Sequence, residues 1–336
     1  RKVLISPTCE SISIQLEPIA INSLYLPTAY LKNKNAVYAN AMNLIETTEV
    51  NALTIDVKND FGNLHLDLAP YVKELKSKGV YTIARIVVFK DNATVKAHPE
   101  FALINKVTGV PWKGSDGMTF IDPFNKSAWS YIIGIAQKAA LMGFDEIQFD
   151  YVRFPTDGNK ALVKWSGDYS DEGRTDAIAN FLALAQKTLS PLGVFIAADV
   201  FGISAFESKD LSKIGQKIEK IAPYLDYVCP MVYPSGYAKG TGGVADPVNQ
   251  PGSIVGVSIR NYRVRADKVN PDLIIRPWLQ AFNDYSPAKK VYTGEDIRKQ
   301  IDASDNHGGS GWLLWNAAGK YHSSGLKVKK LKVIKE

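Results

Sequence analysis

Acidic residues fall where short apolar runs end. Asp150 closes the run Glu146-Ile147-Gln148-Phe149-Asp150 and leads into Tyr151-Val152-Arg153-Phe154-Pro155. Asp199 stands in Ala197-Ala198-Asp199-Val200-Phe201-Gly202, and Asp56 in Thr54-Ile55-Asp56-Val57-Lys58. Arg85, Tyr233, Trp278, Gln280, Trp315 and Asn316 occupy comparable points of other runs. If these runs are strands of one closed parallel sheet, three carboxylates converge on a single mouth ringed by Trp, Tyr and Gln. Glycosidic bond cleavage needs such a set: one carboxylic acid protonates the leaving oxygen while a second carboxylate attacks the sugar or activates water. Aromatic rings offer apolar faces to sugars, and amides offer hydrogen bonds to hydroxyls.

Each assignment has a structural alternative that the residues leave open. Asp56 can pair with Lys58 or Arg85, Asp150 with Arg153, and Glu146 with an interior cation, all as ordinary ion pairs. Trp278 and Trp315 serve equally well as core wedges. The four histidines, His65, His98, His307 and His322, show no ligand spacing, so no metal site is expected. There is no Walker motif and no Gly-x-Ser-x-Gly elbow, and no cofactor is expected.

Eight strand-like runs would position these residues: 23–29, 50–58, 80–89, 144–152, 193–200, 225–233, 273–281 and 310–316. Seven stretches of helical period lie between them: 35–48, 69–78, 126–142, 174–189, 211–221, 252–265 and 294–304. The alternation predicts an α/β fold, a (β/α)8 TIM barrel over 23–321. A doubly wound open sheet would want a glycine-rich first turn, and Tyr30-Leu31-Lys32-Asn33-Lys34-Asn35 has no glycine. Period two puts Thr54, Asp56 and Lys58 on one face of strand two, and Glu146, Gln148 and Asp150 on one face of strand four. It groups Cys229, Met231 and Tyr233 on strand six, Arg276, Trp278 and Gln280 on strand seven, and Trp312, Leu314 and Asn316 on strand eight, with Trp315 between. The long segment 91–123 is expected to wall the cleft. Outside the repeat, 1–22 forms an extension with a period-two strand at 11–16. Segment 322–336 is a lysine-rich tail or edge strand, and the two ends together are expected to make a small β extension.

With 336 residues, 46% hydrophobic and 22% charged, the composition is that of a globular chain. Of the net charge of +6, most lies in 326–336, where Lys327, Lys329, Lys330, Lys332 and Lys335 face one acid, Glu336. The body is nearly neutral, which does not support a nucleic-acid partner. No apolar run is long enough to span a membrane. A chain opening on Arg1 reads as trimmed, so an export signal can already be gone and the compartment stays open. Cys9 and Cys229 suggest no disulfide framework.

The segment Gly143-Phe144-Asp145-Glu146-Ile147-Gln148-Phe149-Asp150-Tyr151-Val152-Arg153-Phe154-Pro155 closely resembles the signature of a bacterial family of glycoside-hydrolase-like barrels, long catalogued as a domain of unknown function. Ala84-Arg85-Ile86-Val87-Val88-Phe89, Asp122-Pro123-Phe124-Asn125, Ala198-Asp199-Val200-Phe201-Gly202, Pro230-Met231-Val232-Tyr233-Pro234-Ser235, Arg276-Pro277-Trp278-Leu279-Gln280 and Gly311-Trp312-Leu313-Leu314-Trp315-Asn316 extend it in order over 23–321. The resemblance implies a polysaccharide or cell-envelope glycan as substrate and an extracytoplasmic setting. By analogy with α-amylase-like barrels it implies Asp150 as nucleophile and Asp199 as general acid/base of a retaining glycosidase, with Asp56 in reserve. Arg85, Arg153, Lys58, Tyr233, Trp278, Gln280, Trp315 and Asn316 are the expected substrate-binding residues. Two departures stand out: Gly236 replaces the histidine that usually follows Pro-Ser, and Asn316-Ala317-Ala318-Gly319 lacks the family's usual proline. The alternatives are a carbohydrate-binding barrel without catalysis and an envelope protein that docks on an anionic polymer through its C-terminal lysines.

Overall fold

The computed structural model describes residues 19–329. Its centre is a closed sheet of eight parallel strands: β1 (Asn22–Leu26), β2 (Ala52–Lys58), β3 (Tyr81–Val87), β4 (Glu146–Asp150), β5 (Phe195–Phe201), β6 (Tyr227–Val232), β7 and β8 (Trp312–Trp315). β7 comes in two pieces, Ile274–Ile275 and Trp278–Gln280, because Pro277 brings no N–H to the ladder. Both pieces pair with β6, the second also pairs with β8, and β8 pairs with β1, which closes the barrel. The predicted (β/α)8 architecture is therefore observed.

Strict alternation divides the strand residues between two cores. Leu53, Ile55, Val57, Ala84, Ile86, Ile147, Phe149, Ala198 and Val200 face outward and pack under the helices. Those helices include Ala36–Thr47, Ala69–Ser77, Lys126–Leu141, Asp171–Leu189, Pro251–Ala266 and Gly294–Asn306. Asn35, Asn125, Ser170 and Thr293 supply side-chain N-caps, which fix where four of these begin. The inward set, with Tyr25, Ala52, Ile83, Ala197, Tyr227, Cys229, Trp278 and Leu313, fills the barrel. Low in that interior Glu146 and Arg276 form an ion pair with both side chains fully buried, the interior pairing open to Glu146 in the sequence.

The structure corrects several expectations. On β8 the faces are reversed: Leu313 and Trp315 point into the barrel, while Trp312 and Leu314 pack under the helices. The run Trp-Leu-Leu-Trp is apolar on both faces, so its period carries no direction. Stretch 211–221 is mostly turn, and only Ile218–Ile221 is α-helical. There the chain wraps the Asp210 carboxylate, which accepts from the amides of Ile214 and Gly215 and pairs with Arg174. Gly215 sits at φ +80°, where a Cβ would meet the Arg174 carbonyl at 2.8 Å.

Segment 91–123 forms its own small core of Leu103, Trp112 and Phe120 with Val163 from the loop after β4. A two-stranded antiparallel pair, Ile104–Asn105 with Val163–Lys164, joins the two. At the far end, Val328 makes an antiparallel bridge to Thr48, as an edge strand would. The expected strand at 11–16, Cys9, and Lys330, Lys332 and Lys335 lie outside the described residues.

Candidate active site

The exits of the strands surround a cavity of about 180 Å³ lined by Asp60, Arg85, Asp150, Tyr151, Arg153, Phe201, Met231, Tyr233, Trp278 and Trp315. A larger groove of about 750 Å³ runs outside the barrel between helices Pro251–Ala266 and Gly294–Asn306. Its lining holds one carboxylate, Asp302, and Arg298 already binds that at 2.9 Å. The smaller cavity, by contrast, has two carboxylates in its lining, Asp60 and Asp150.

Arg85, from β3, is the hub of the mouth. Its Nη1 donates to Asp56 Oδ1 at 2.7 Å, its Nε to Asp150 Oδ2 at 2.8 Å and its Nη2 to Asp60 Oδ1 at 3.0 Å. Register explains the convergence: β3 lies between β2 and β4, with Arg85 beside Asp56 on one and Gln148 on the other. Tyr25, at the exit of β1, donates its hydroxyl to Asp56 Oδ2 at 2.6 Å. Asp56 is thus tied on both oxygens and stays out of the lining. Burial raises its carboxyl pKa, against the opposing pull of Arg85 and Tyr25.

Asp150 projects into the cavity with three N–H donors on its carboxylate: Nε and Nη2 of Arg85 on Oδ2, and the Tyr151 amide on Oδ1 at 2.6 Å. Tyr151 itself adopts φ +49°, an uncommon backbone for a residue with a side chain. Asp199 lies on β5 with 1% of its surface exposed. Its Oδ1 accepts from Trp278 Nε1 at 2.8 Å. Burial, reinforced by the negative charge of Asp150, holds its pKa well above the ordinary carboxyl range, so the protonated form is favoured. The same two influences, burial first and then the charges of Asp199 and Asp150, push up the Tyr233 phenol.

Trp315 stands over Arg85, 5.2 Å from ring centroid to guanidinium carbon, and lies 4.3 Å from the Tyr25 ring at a tilt of 36°. Trp278 meets it edge-on at 5.5 Å. Arg85, Arg153, Asp150, Tyr233, Trp278 and Trp315 are thus brought together as expected from the sequence.

Other expected residues are not in the lining, Asp199 among them: it sits behind Trp278, nearly fully buried. Lys58 is fully buried and turned away: its ammonium binds Asp91 at 2.6 Å and the Val87 carbonyl at 2.6 Å. A bulge between Asp56 and Lys58 breaks the alternation that had grouped them. Gln280 is consumed by Ser235, by the Phe282 carbonyl and by the Ser235 amide. Asn316 donates to the Ala281 carbonyl and accepts from the Ala318 amide, which fastens the last loop. No residue of 91–123 lines the cavity either; Asp116 reaches the rim by pairing with Lys90, whose ammonium lies 5.2 Å from the Tyr151 ring. Among the described residues no three His, Cys, Asp or Glu side chains cluster as a metal site requires.

Residues 63–321 match a protein-family model described as "putative glycosyl hydrolase domain". The chain belongs to this family. Among solved structures, the glycoside hydrolase domain of PgaB (BpsB) from Bordetella bronchiseptica is 15% identical, with 90% of this chain and 95% of that one covered at a TM-score of 0.61. A β-galactosidase from the psychrophilic Marinomonas ef1 is 13% identical, covering 88% of this chain and 54% of its own at 0.62. The glycoside hydrolase domain of PelA from Pseudomonas aeruginosa is 12% identical, covering 91% and 97% at 0.51. These likenesses are of fold. No curated protein matches the chain.

Within this glycosyl hydrolase family barrel, four lining residues lie beyond the site residues expected from sequence: Asp60, Tyr151, Phe201 and Met231. Asp60 follows the end of β2 by two residues, and its side chain is 36% exposed. Its signal was position, since loops after barrel strands carry the chemistry. Tyr25, at the exit of β1, was open to the same argument.

Proposed function

We propose that the barrel hydrolyses a glycosidic bond in a polysaccharide or cell-envelope glycan, outside the cytoplasm, with Asp150 as nucleophile and Asp199 as general acid/base. The observation that carries the reading is the contrast between the two carboxyl groups. Asp150 meets the cavity as an acceptor for three N–H donors, while burial and the charge of Asp150 shift Asp199 toward its protonated form. Environments that drive two carboxyl groups apart assign the roles of base and acid.

In the first step an Asp150 oxygen attacks the anomeric carbon as Asp199 gives its proton to the departing glycosidic oxygen. Trp278 occupies Oδ1 of Asp199, so Oδ2 carries that proton. In the second step Asp199, now ionised, takes a proton from water, and the hydroxide displaces Asp150 with net retention. A polymeric substrate is supported by the aromatics of the rim. Phe61, after β2, is 61% exposed. Tyr285, after β7, is 59% exposed and stacks on Phe282, which in turn contacts Tyr233.

The test is product release from α- and β-linked polysaccharides and peptidoglycan by the wild type, Asp150→Asn and Asp199→Asn. Cleavage of one substrate, lost in both folded variants, upholds the reading. A carbohydrate-binding barrel without catalysis draws support from the near-complete burial of Asp199. Equal glycan binding by all three proteins, with no product, would establish that second reading.

A further inference from the structure

Among the described residues, the cavity contains one cation that no carboxylate engages. Arg85 is saturated by Asp56, Asp60 and Asp150, and Lys90 at the rim is paired with Asp116. Arg153 differs. It lines the cavity with only 6% of its surface exposed, and its guanidinium is clamped between two aromatic faces, 4.7 Å from the Tyr151 ring centroid and 4.6 Å from that of Phe201. Its hydrogen bonds within the described residues leave from Nη1, to the Phe154 carbonyl at 3.1 Å and to Thr156 Oγ1 at 3.5 Å. Nε and Nη2 have no protein acceptor among the described residues.

Those two N–H groups form the side-on edge of the guanidinium, the edge that receives a planar carboxylate through two parallel bonds. A guanidinium taken this far from water without an anionic partner carries a desolvation cost that a bound anion would offset. Two ring faces hold the plane of the group, so the edge is aimed before a ligand arrives. The left-handed backbone at Tyr151 belongs to the same arrangement, since it sets the residue whose ring clamps Arg153 and whose amide binds Asp150.

We infer that Arg153 selects a glycan bearing a carboxylate, a uronate or similarly acidic sugar, with that carboxylate docked on Nε and Nη2 beside Asp150. The inference rests on the glycan reading above and names its substrate class.

Direct titration calorimetry tests it with defined probes: oligogalacturonates and glucuronate-containing hyaluronan oligosaccharides, each beside its methyl-esterified form, together with a sulfated and a neutral oligosaccharide. Wild type is expected to bind an acidic form at least tenfold more tightly than its ester. Arg153→Met should erase that difference, and Arg153→Lys should keep part of it, because an ammonium supplies charge without the two-pronged edge. Equal binding of acid and ester by wild type overturns the inference without any variant having to fold. Preference for the sulfated probe, or discrimination that persists in Arg153→Met, also overturns it. Neutral glycans bound with indifference to the carboxylate remove this inference alone; failure to bind any glycan removes the glycan reading with it.

Discussion

Trp278 Nε1 donates to Asp199 Oδ1 at 2.8 Å, joining the seventh strand to the fifth inside the barrel. The bond favours the ionised form of Asp199 and so restrains a pKa that burial drives upward. Trp278→Phe removes the donor and keeps most of the ring. The pKa of Asp199 should then rise further, and the alkaline limb of kcat/KM should move to higher pH, because that limb marks loss of the acid's proton. An unmoved limb with merely reduced activity would mean that Trp278 acts by packing alone.

Asp150→Asn and Asp199→Asn are each expected to lower kcat/KM by on the order of a hundredfold or more, the scale of lost general acid–base catalysis. The stability of Asp199→Asn should differ from wild type in a pH-dependent way. The folded pKa of Asp199 lies above the ordinary value of 3.8, so the folded state holds a proton that the unfolded state has lost. Stability from this group is full below 3.8 and declines as pH rises toward the folded pKa. Asparagine does not titrate. Urea midpoints measured from acid to neutral pH should show Asp199→Asn gaining on wild type as pH rises, and a constant difference would exclude this account.

Arg85 binds three carboxylates at once. Arg85→Met leaves Asp56 and Asp150 buried without their cation and should cost about 3–5 kcal/mol, the usual penalty for breaking a buried pair from one side. Arg85→Lys should recover only part of this, since one ammonium nitrogen cannot span the carboxylates that the fork reaches through Nε, Nη1 and Nη2. Chemical denaturation gives both values.

Lys58 and Asp91 pin the start of the long insertion to the second strand. Burial lowers the Lys58 pKa while Asp91 opposes the shift. Lys58→Met alone should destabilise by about 3–5 kcal/mol, and adding Asp91→Asn should cost less than the sum of the single changes. Additive costs in a double-mutant cycle would show that the ion pair does not couple the two elements. Limited proteolysis within 91–123 should accelerate in the single variants.

The barrel was legible because each of its eight strands overlaps one of the apolar runs, and Asp150, Arg85 and Trp278 sit where alternation puts them. Legibility failed where alternation has no contrast or is interrupted. Trp312 to Trp315 is apolar throughout, so the inward face could not be told from the outward one. The bulge before Lys58 turned a residue expected in the cleft into an anchor for Asp91. Asp60 lies in a loop, where no periodicity points to it, so its place just after the second strand was its one signal, and the fork of Arg85 shows what it does. Gln280 and Asn316 have the right chemistry for sugars but are spent on loop carbonyls and amides, a use that sequence does not distinguish.

The buried pairing of Glu146 with Arg276 has a consequence for how a long molecule can be handled. With Gln148 and Cys229 it plugs the barrel directly beneath the carboxylates, all four side chains being fully buried. On the proposed function, a polymer has no tunnel to thread and would lie across the mouth like a rope over a capstan. Cleaved halves would leave sideways, each freed when its own end lifts from the rim.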